Sequence, residues 1–392
     1  METAQLWVFL FLALSLGWLL GYSAKQKRSP TSEPSQTKVG EKHRLQLLFD
    51  SYSDDAIDRL INSLEVSEET LQTHISIGTH FRKQGEVEKA ILIHQNLMAH
   101  PEISNEASDA VIFELAKDYK AAGLFDRAES LLLQLTQSKR YSYRSQVLLL
   151  DICEREKDWS GALVIAKEID LRRHPEIKIR LSQYYCELAE EKLKSNQQRE
   201  AINLFKQALG VNKLCVRALL GQAALAQQDE RYGEAIRFLK QVAEIAPEDI
   251  ILALPLLLEC TVKTESFDQH QAYLKNLYED TGQMPVMLAV VASMEAQGRK
   301  DEAFEFLLDQ LSSLPSLRAL NYLFSMEGMS DDIHPKLARQ LIRIISRESD
   351  KKEKYRCSQC GFNGGQLHWN CPSCKSWQTI KPVLEYEKKV VN

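Results

Sequence analysis

One short pattern recurs through the middle of the chain and limits its fold more than any other feature. Ile77-Gly78, Phe81, Gly85 and Ala90 return as Leu115-Ala116, Tyr119, Gly123 and Ala128 with identical internal steps, and again as Val290-Val291, Met294, Gly298 and Ala303. Measured on the alanine, the series Ala56, Ala90, Ala128, Ala162, Ala201, Ala235 and Ala303 advances by 34, 38, 34, 39, 34 and 68 residues, the last being twice 34. The hidden member of that final gap is expected near Ala272, within Phe267-Asp-Gln-His-Gln-Ala-Tyr-Leu. Between about Arg44 and Arg347 the apolar positions follow a helical period, and strand-like alternation is almost absent.

A helix pair repeating every 34 residues with this small, aromatic and glycine spacing is the tetratricopeptide signature. Small residues at the Gly78 and Ala90 positions let two helices approach closely, and Leu132, Phe205, Leu239 and Leu307, each four past an alanine, fill the seam. Pro247 and Pro315 fall twelve past theirs, where a helix should stop. The weak copies are those at Ala162 and Ala201, and Gly221 precedes Ala235 by two residues more than Gly78 precedes Ala90. The expected fold class is mainly α, a tetratricopeptide-repeat α-solenoid over 44–349, whose groove binds other polypeptides. The chain carries no Ser/His/Asp set, phosphate loop or His-Glu-x-x-His helix, so no catalytic residue is assigned and a non-enzyme is expected. Asp54-Asp55, Glu68-Glu69 and Glu190-Glu191 read as solvated helix faces. The spacing of His74, His80, His94 and His100 does not put all four on one helix face, so they are not read as a metal site.

The strongest chemical signal lies in 350–386. Cys357 and Cys360 form one Cys-x-x-Cys pair and Cys371 and Cys374 a second, ten residues on, so four thiolates can converge on one tetrahedral ion. Such a segment is too short for a hydrophobic core of its own, and a structural metal contributes on the order of 10 kcal/mol. The spacing suits zinc and a single iron equally. Gly361 and Pro372 shape the two knuckles, and Tyr355, Phe362, Trp369 and Trp377 are expected to wrap the site in an apolar shell. His368 is read as an exposed or outer group. The alternative is two disulfides, which require an oxidising compartment.

The other end sets location. Leu6 to Tyr22 is almost wholly apolar, seventeen residues that span about 25 Å as a helix, near the lower limit for a bilayer. Trp7, Trp18 and Tyr22 sit where interfacial aromatics belong, and Lys25, Lys27, Arg28, Lys38 and Lys42 follow the span, which places the remainder in the cytoplasm. A transmembrane anchor is therefore expected at 5–22; a cleaved signal peptide is its rival, but the start lacks a positive region. Gly17 and Gly21 form a Gly-x-x-x-Gly step that lets membrane helices, including those of a second copy, pack closely. Residues 23–43, rich in Ser, Thr, Lys and Pro, read as a flexible linker. A net charge of -5 from 49 basic and 54 acidic side chains gives no footprint for nucleic acid. The remaining four of the eight cysteines, Cys153, Cys186, Cys215 and Cys260, read as isolated buried hydrophobes in a reducing compartment.

Anchor, repeat array and four-cysteine ribbon together resemble the lipopolysaccharide assembly protein B family of Gram-negative bacteria. The likeness is carried by Gly17-Trp-Leu-Leu-Gly21, Phe81-Arg-Lys-Gln-Gly-Glu-Val-Glu-Lys-Ala90, Asp118-Tyr-Lys-Ala-Ala-Gly-Leu-Phe-Asp-Arg-Ala-Glu129, Tyr184-Tyr-Cys-Glu-Leu-Ala189, Tyr355-Arg-Cys-Ser-Gln-Cys-Gly-Phe362, Trp369-Asn-Cys-Pro-Ser-Cys374 and Trp377-Gln-Thr-Ile-Lys-Pro382. The resemblance implies a single-pass, non-enzymatic adaptor on the cytoplasmic side of the cell inner membrane. It implies that the protein promotes degradation, by the membrane AAA+ metalloprotease, of the lipid A pathway deacetylase, alongside other lipopolysaccharide assembly proteins as partners. It also implies a rubredoxin-like terminal domain, with Cys357, Cys360, Cys371 and Cys374 holding iron, docked on the repeats. Two other readings stand beside it: rubredoxin-type electron transfer, and a nucleic-acid-binding zinc ribbon using Lys351, Lys352, Lys354 and Arg356.

Overall fold

The computed structural model describes residues 68–100, 104–313, 316–326 and 353–383. The expected anchor and linker lie outside these residues, as do Asp54-Asp55, Ala56 and Pro315; no helix among the described residues is long and apolar enough to cross a membrane. The chain falls into two compact units, one ending at Leu131 and one beginning at Leu132. The first holds α1 (Glu68–Gln84), α2 (Val87–Met98), α3 (Asn105–Ala121) and the start of α4 (Phe125–Leu135). The second holds the end of α4 and then α5 (Ser142–Glu156), α6 (Trp159–Glu168), α7 (Ile177–Lys194), α8 (Gln198–Val211), α9 (Val216–Gln228) and α10 (Tyr232–Ile245). A 3-10 turn (Pro247–Leu252) precedes α11 (Leu254–Thr264), α12 (Phe267–Thr281), α13 (Met284–Ala296), α14 (Lys300–Ser313) and α15 (Leu317–Ser325). A small sheet of β1 (Tyr355–Cys357), β2 (Asn363–Gly364) and β3 (Ile380–Pro382) closes the described chain.

One turn geometry joins the helices of every pair. Gly85, Gly123, Lys157, Asn196, Glu230, Glu265 and Gly298 all have positive φ, between 52° and 88°. Each stands five residues before a buried position near the start of the next helix: Ala90, Ala128, Ala162, Ala201, Ala235, His270 and Ala303. Just after the left-handed residue, the N–H of Glu86, Leu124, Asp158, Gln197, Arg231 and Arg299 reaches back to the carbonyl of Phe81, Tyr119, Cys153, Lys192, Ala226 and Met294 respectively. This closure satisfies a carbonyl that the helix end would otherwise leave open. The copies at Ala162 and Ala201 looked weak because Lys157 and Asn196 replace the turn glycine; their backbone is the same.

The same frame corrects two sequence expectations. The hidden repeat position is His270 and not Ala272, which is exposed; Leu274, four past His270, occupies the seam that Leu132 and Leu239 occupy elsewhere. A ruler built on alanine misses a copy in which a larger residue takes the small site. Gly221 is likewise not the repeat's small position, which is Ala223, twelve before Ala235 and fully buried. Gly221 serves the neighbouring helix, since a Cβ there would lie 2.5 Å from Cζ of Phe205.

In the first unit the seam residue is His94, for which Gly78 makes room: a Cβ at Gly78 would stand 2.5 Å from its Cε1. His94 Nδ1 meets the fully buried Asp118, which also accepts from Arg82 at 2.6 Å, and Arg82 forks to Glu114 at 2.6 Å. His74 Nδ1 lies 3.0 Å from the Thr70 carbonyl instead. None of the four histidines belongs to the one group of described residues placed to hold a metal, which lies elsewhere.

Candidate metal centre and its docking surface

The two Cys-x-x-Cys segments fold into matching knuckles. In the first, the Cys357 N–H donates to the Phe362 carbonyl at 2.8 Å and the Gly361 N–H to the Cys357 carbonyl at 3.0 Å; in the second, Cys371 donates to Ser376 and Lys375 to Cys371, both at 2.9 Å. Gly361 and Lys375 take the same left-handed conformation, with φ of 75° and 59°. β1 lies between β2 and β3, antiparallel to both, with Arg356 opposite Asn363 and Cys357 opposite Ile380. The knuckles bring the sulfurs of Cys357, Cys360, Cys371 and Cys374 within 4.8 Å of one another. Sγ of Cys357 is 3.8 Å from that of Cys374, and Sγ of Cys360 is 3.7 Å from that of Cys371. A tetrahedral ion with metal–sulfur bonds of about 2.3 Å has sulfur–sulfur edges of about 3.8 Å, so the donor set fits such an ion.

Hydrogen bonds favour the thiolate at two of the four sulfurs, Cys357 and Cys374. Against burial, which raises it, the Thr379 hydroxyl and the N–H groups of Cys360 and Gln359 bring the Cys357 thiol down to about 6. The Ser376 hydroxyl and N–H lower Cys374, whereas burial pushes Cys371 up to about 11. Cys357 and Cys371 face inward, Cys374 is half-buried and Cys360 is exposed. His368 is exposed and outside the sulfur cluster, as expected.

The aromatic shell differs from expectation. Tyr355 and Phe362 do line the sulfur core, together with Leu367 and Ile380. Trp377 and Trp369 turn away from it and enter the cores of the second unit. Trp377 stands edge-on to Trp159 and Tyr184, with centroids 6.1 and 6.3 Å away. Its Nε1 donates at 2.9 Å to Glu154, whose same oxygen accepts from Tyr184 at 2.6 Å and Arg180 at 2.9 Å. Burial and the Glu154 carboxylate push the Tyr184 phenol far above its ordinary range, which keeps it a donor. Arg217, held by Glu187 at 2.8 Å and Glu190 at 2.7 Å, lies over the Trp369 ring at 5.9 Å. Lys381 reaches Asp249 at 2.6 Å and Glu248 at 3.1 Å. Glu190 is thus half-buried and ion-paired, a correction to its reading as a solvated carboxylate; Glu191 is exposed. Between these contacts lies a cavity of about 180 Å³, lined among others by Leu214, Val216, Asp249, Trp369 and Gln378.

The ribbon therefore has two faces, one for four sulfurs and one for the repeats. Sequence reasoning found the first and missed the docking partners Glu154, Trp159, Tyr184, Arg217 and Asp249, which follow no local motif. The paired tryptophans were the available signal, since an indole N–H leaving the surface needs an acceptor.

Comparison with known proteins agrees with this division. Residues 355–382 match the family model described as a rubredoxin metal binding domain, and 186–250 match a tetratricopeptide repeat model. Lipopolysaccharide assembly protein B of Escherichia coli K12 is 27% identical over 388 residues, covering 96% of this chain and 97% of that protein. The protein of the same name from Haemophilus influenzae is 29% identical over 397 residues, covering 97% and 98%. This chain is a relative of lipopolysaccharide assembly protein B. The similarity to assembly protein B spans repeats and ribbon alike and is not confined to a single module. A solved tetratricopeptide-repeat protein from Parabacteroides merdae superposes loosely, at 15% identity and a TM-score of 0.34, covering 71% of this chain and 99% of that one; the fold rests on the helix pairs themselves.

Proposed function

We propose that the chain is a tethered, non-enzymatic adaptor in lipopolysaccharide assembly. The apolar segment at 5–22 holds it at the cytoplasmic face of the inner membrane, and its repeats bring the lipid A pathway deacetylase to the membrane AAA+ metalloprotease. The observation that carries this reading is the near full-length relationship to lipopolysaccharide assembly protein B in two organisms. Confinement to one membrane plane raises the effective concentration of client and protease, so modest affinities suffice.

In this reading Cys357, Cys360, Cys371 and Cys374 hold one iron, and zinc satisfies the same sulfur set. The bound ion supplies the folding energy that so short a segment lacks. Glu154, Arg217 and Asp249 then hold the ribbon on the repeats, and Gly17 and Gly21 offer a close-packing face to a partner's membrane helix.

The test is a detergent-extracted pulldown from the native cell envelope with this chain as bait. Recovery of both the AAA+ protease and the deacetylase is expected. Recovery of neither, from cells that contain both, would contradict the adaptor reading and leave the relationship as one of architecture.

A further inference from the structure

Two of the cysteines read from sequence as isolated lie together inside the second unit. Cys186, within α7, and Cys215, immediately before α9, are both fully buried, and their sulfurs are 3.7 Å apart. The surroundings of the two differ. Cys215 stands at the positive end of α9, and Gln183 Nε2 donates to its sulfur at 3.4 Å. The Cys186 thiol donating to it, helped by the Ala218 N–H, the Ser182 hydroxyl and the Arg217 guanidinium, brings the Cys215 thiol down to about 7 against its burial. Burial holds Cys186 well above the usual thiol range. A nucleophilic sulfur and a proton-bearing sulfur are thus in contact. Leu214 and Val216, on either side of Cys215, line the cavity that Trp369 also lines, while both sulfurs are themselves buried.

We infer that Cys186 and Cys215 form a dithiol site that reduces a small peroxide and closes to a disulfide within the folded chain. The Cys215 thiolate attacks one peroxide oxygen; the oxygen–oxygen bond breaks, and the departing hydroxide takes up a proton to leave as water. Cys215 becomes a sulfenic acid. The Cys186 sulfur then attacks the Cys215 sulfur, the sulfur–sulfur bond forms, the sulfur–oxygen bond breaks, and the departing hydroxide takes the Cys186 proton. Two thiols lose two electrons, and one hydrogen peroxide becomes two waters. The sulfurs must approach from 3.7 Å to about 2.05 Å. Arg217, two residues from Cys215, also lies over the Trp369 ring of the ribbon.

The full-length, metal-loaded chain treated with near-stoichiometric hydrogen peroxide at neutral pH, alkylated, digested without reductant and mapped by mass spectrometry decides the matter. A Cys186–Cys215 cross-linked peptide is expected, with peroxide consumed and metal retained. Cys260, whose thiol burial raises, should stay alkylatable severalfold longer. Cys186 and Cys215 remaining free under that dose would overturn the inference, as would a cross-link found only in unfolded or metal-depleted chain. In Cys186→Ser a hydroxyl keeps a donor beside Cys215 but cannot resolve its sulfenic acid, and labelling of Cys215 is expected when the peroxide-treated variant is unfolded in dimedone; a natively folded variant without that label also overturns it. The wild-type map is decisive whether or not the variant folds.

Discussion

Glu230 is held at φ 58° in the turn between α9 and α10, a conformation that costs a side-chain-bearing residue roughly 1 kcal/mol. Glu230→Gly is therefore expected to stabilise the chain by about 1 kcal/mol, read as a higher denaturant midpoint at unchanged slope; a loss of stability would refute the turn geometry. His270 makes a second residue-scale prediction. Burial, with Lys240 adding to it, lowers the imidazole to about 4 from an ordinary 6.5, so the fold holds the neutral ring. A group whose folded value is depressed gives its full stability above its unfolded value, so here stability is complete above pH 6.5 and is lost as pH falls towards 4, by up to about 3 kcal/mol. His270→Ala, the residue found at this position in the other copies, should remove that acid slope from unfolding measured across the same window. An unchanged slope would place the titration elsewhere. These residues also mark how far the sequence could be read. Gly85, Gly123 and Gly298 announce left-handed turns and Asn196 is suited to one, but Lys157, Glu230 and Glu265 show theirs only once the backbone is seen, because nothing in those side chains prefers positive φ. The helix-pair frame was legible; its bearers in three copies were not.

The ribbon is the element on which chemistry and packing meet. Its ligands were legible because a tetrahedral sulfur site fixes the local spacing of its residues. Its docking was expected only from the family resemblance, and the contacts that make it were not legible, because Trp377 finds Glu154 across 223 residues of chain and Lys381 finds Asp249 across 132. Each function has its own test. Cys357→Ser should remove a ligand and lower bound metal in the purified full chain, measured by elemental analysis; equal metal content would contradict the four-sulfur assignment. Trp377→Ala should leave metal content unchanged while freeing the ribbon, because it deletes a buried indole worth about 3 kcal/mol or more at the docking surface. Faster amide exchange in Tyr355–Pro382, with exchange in α1–α3 unaltered, is the expected signature. Protection of the ribbon equal to that of wild type would show that Trp377 does not hold it.

At the scale of the whole molecule the proposed account joins three parts of different physics: an apolar segment that fixes location, helix pairs that present surface, and a metal ribbon folded against them. Replacing Gly17 and Gly21 together by Leu should weaken regulation while leaving the helix pairs folded, since both lie far in sequence from the repeats; unchanged deacetylase turnover in that variant would remove helix pairing from the account. Repeats and ribbon were legible on this scale because each carries its own signal, one in a 34-residue period and the other in paired cysteines. The division of the chain at Leu131 was not, because the repeat frame runs through it without interruption at Ala128 and Leu132. The most direct measurement is the half-life of the lipid A pathway deacetylase after synthesis is blocked, in cells depleted of this chain and in the same cells with it restored. The account predicts a lengthened half-life on depletion and recovery on restoration. An unaltered half-life in both states would contradict it.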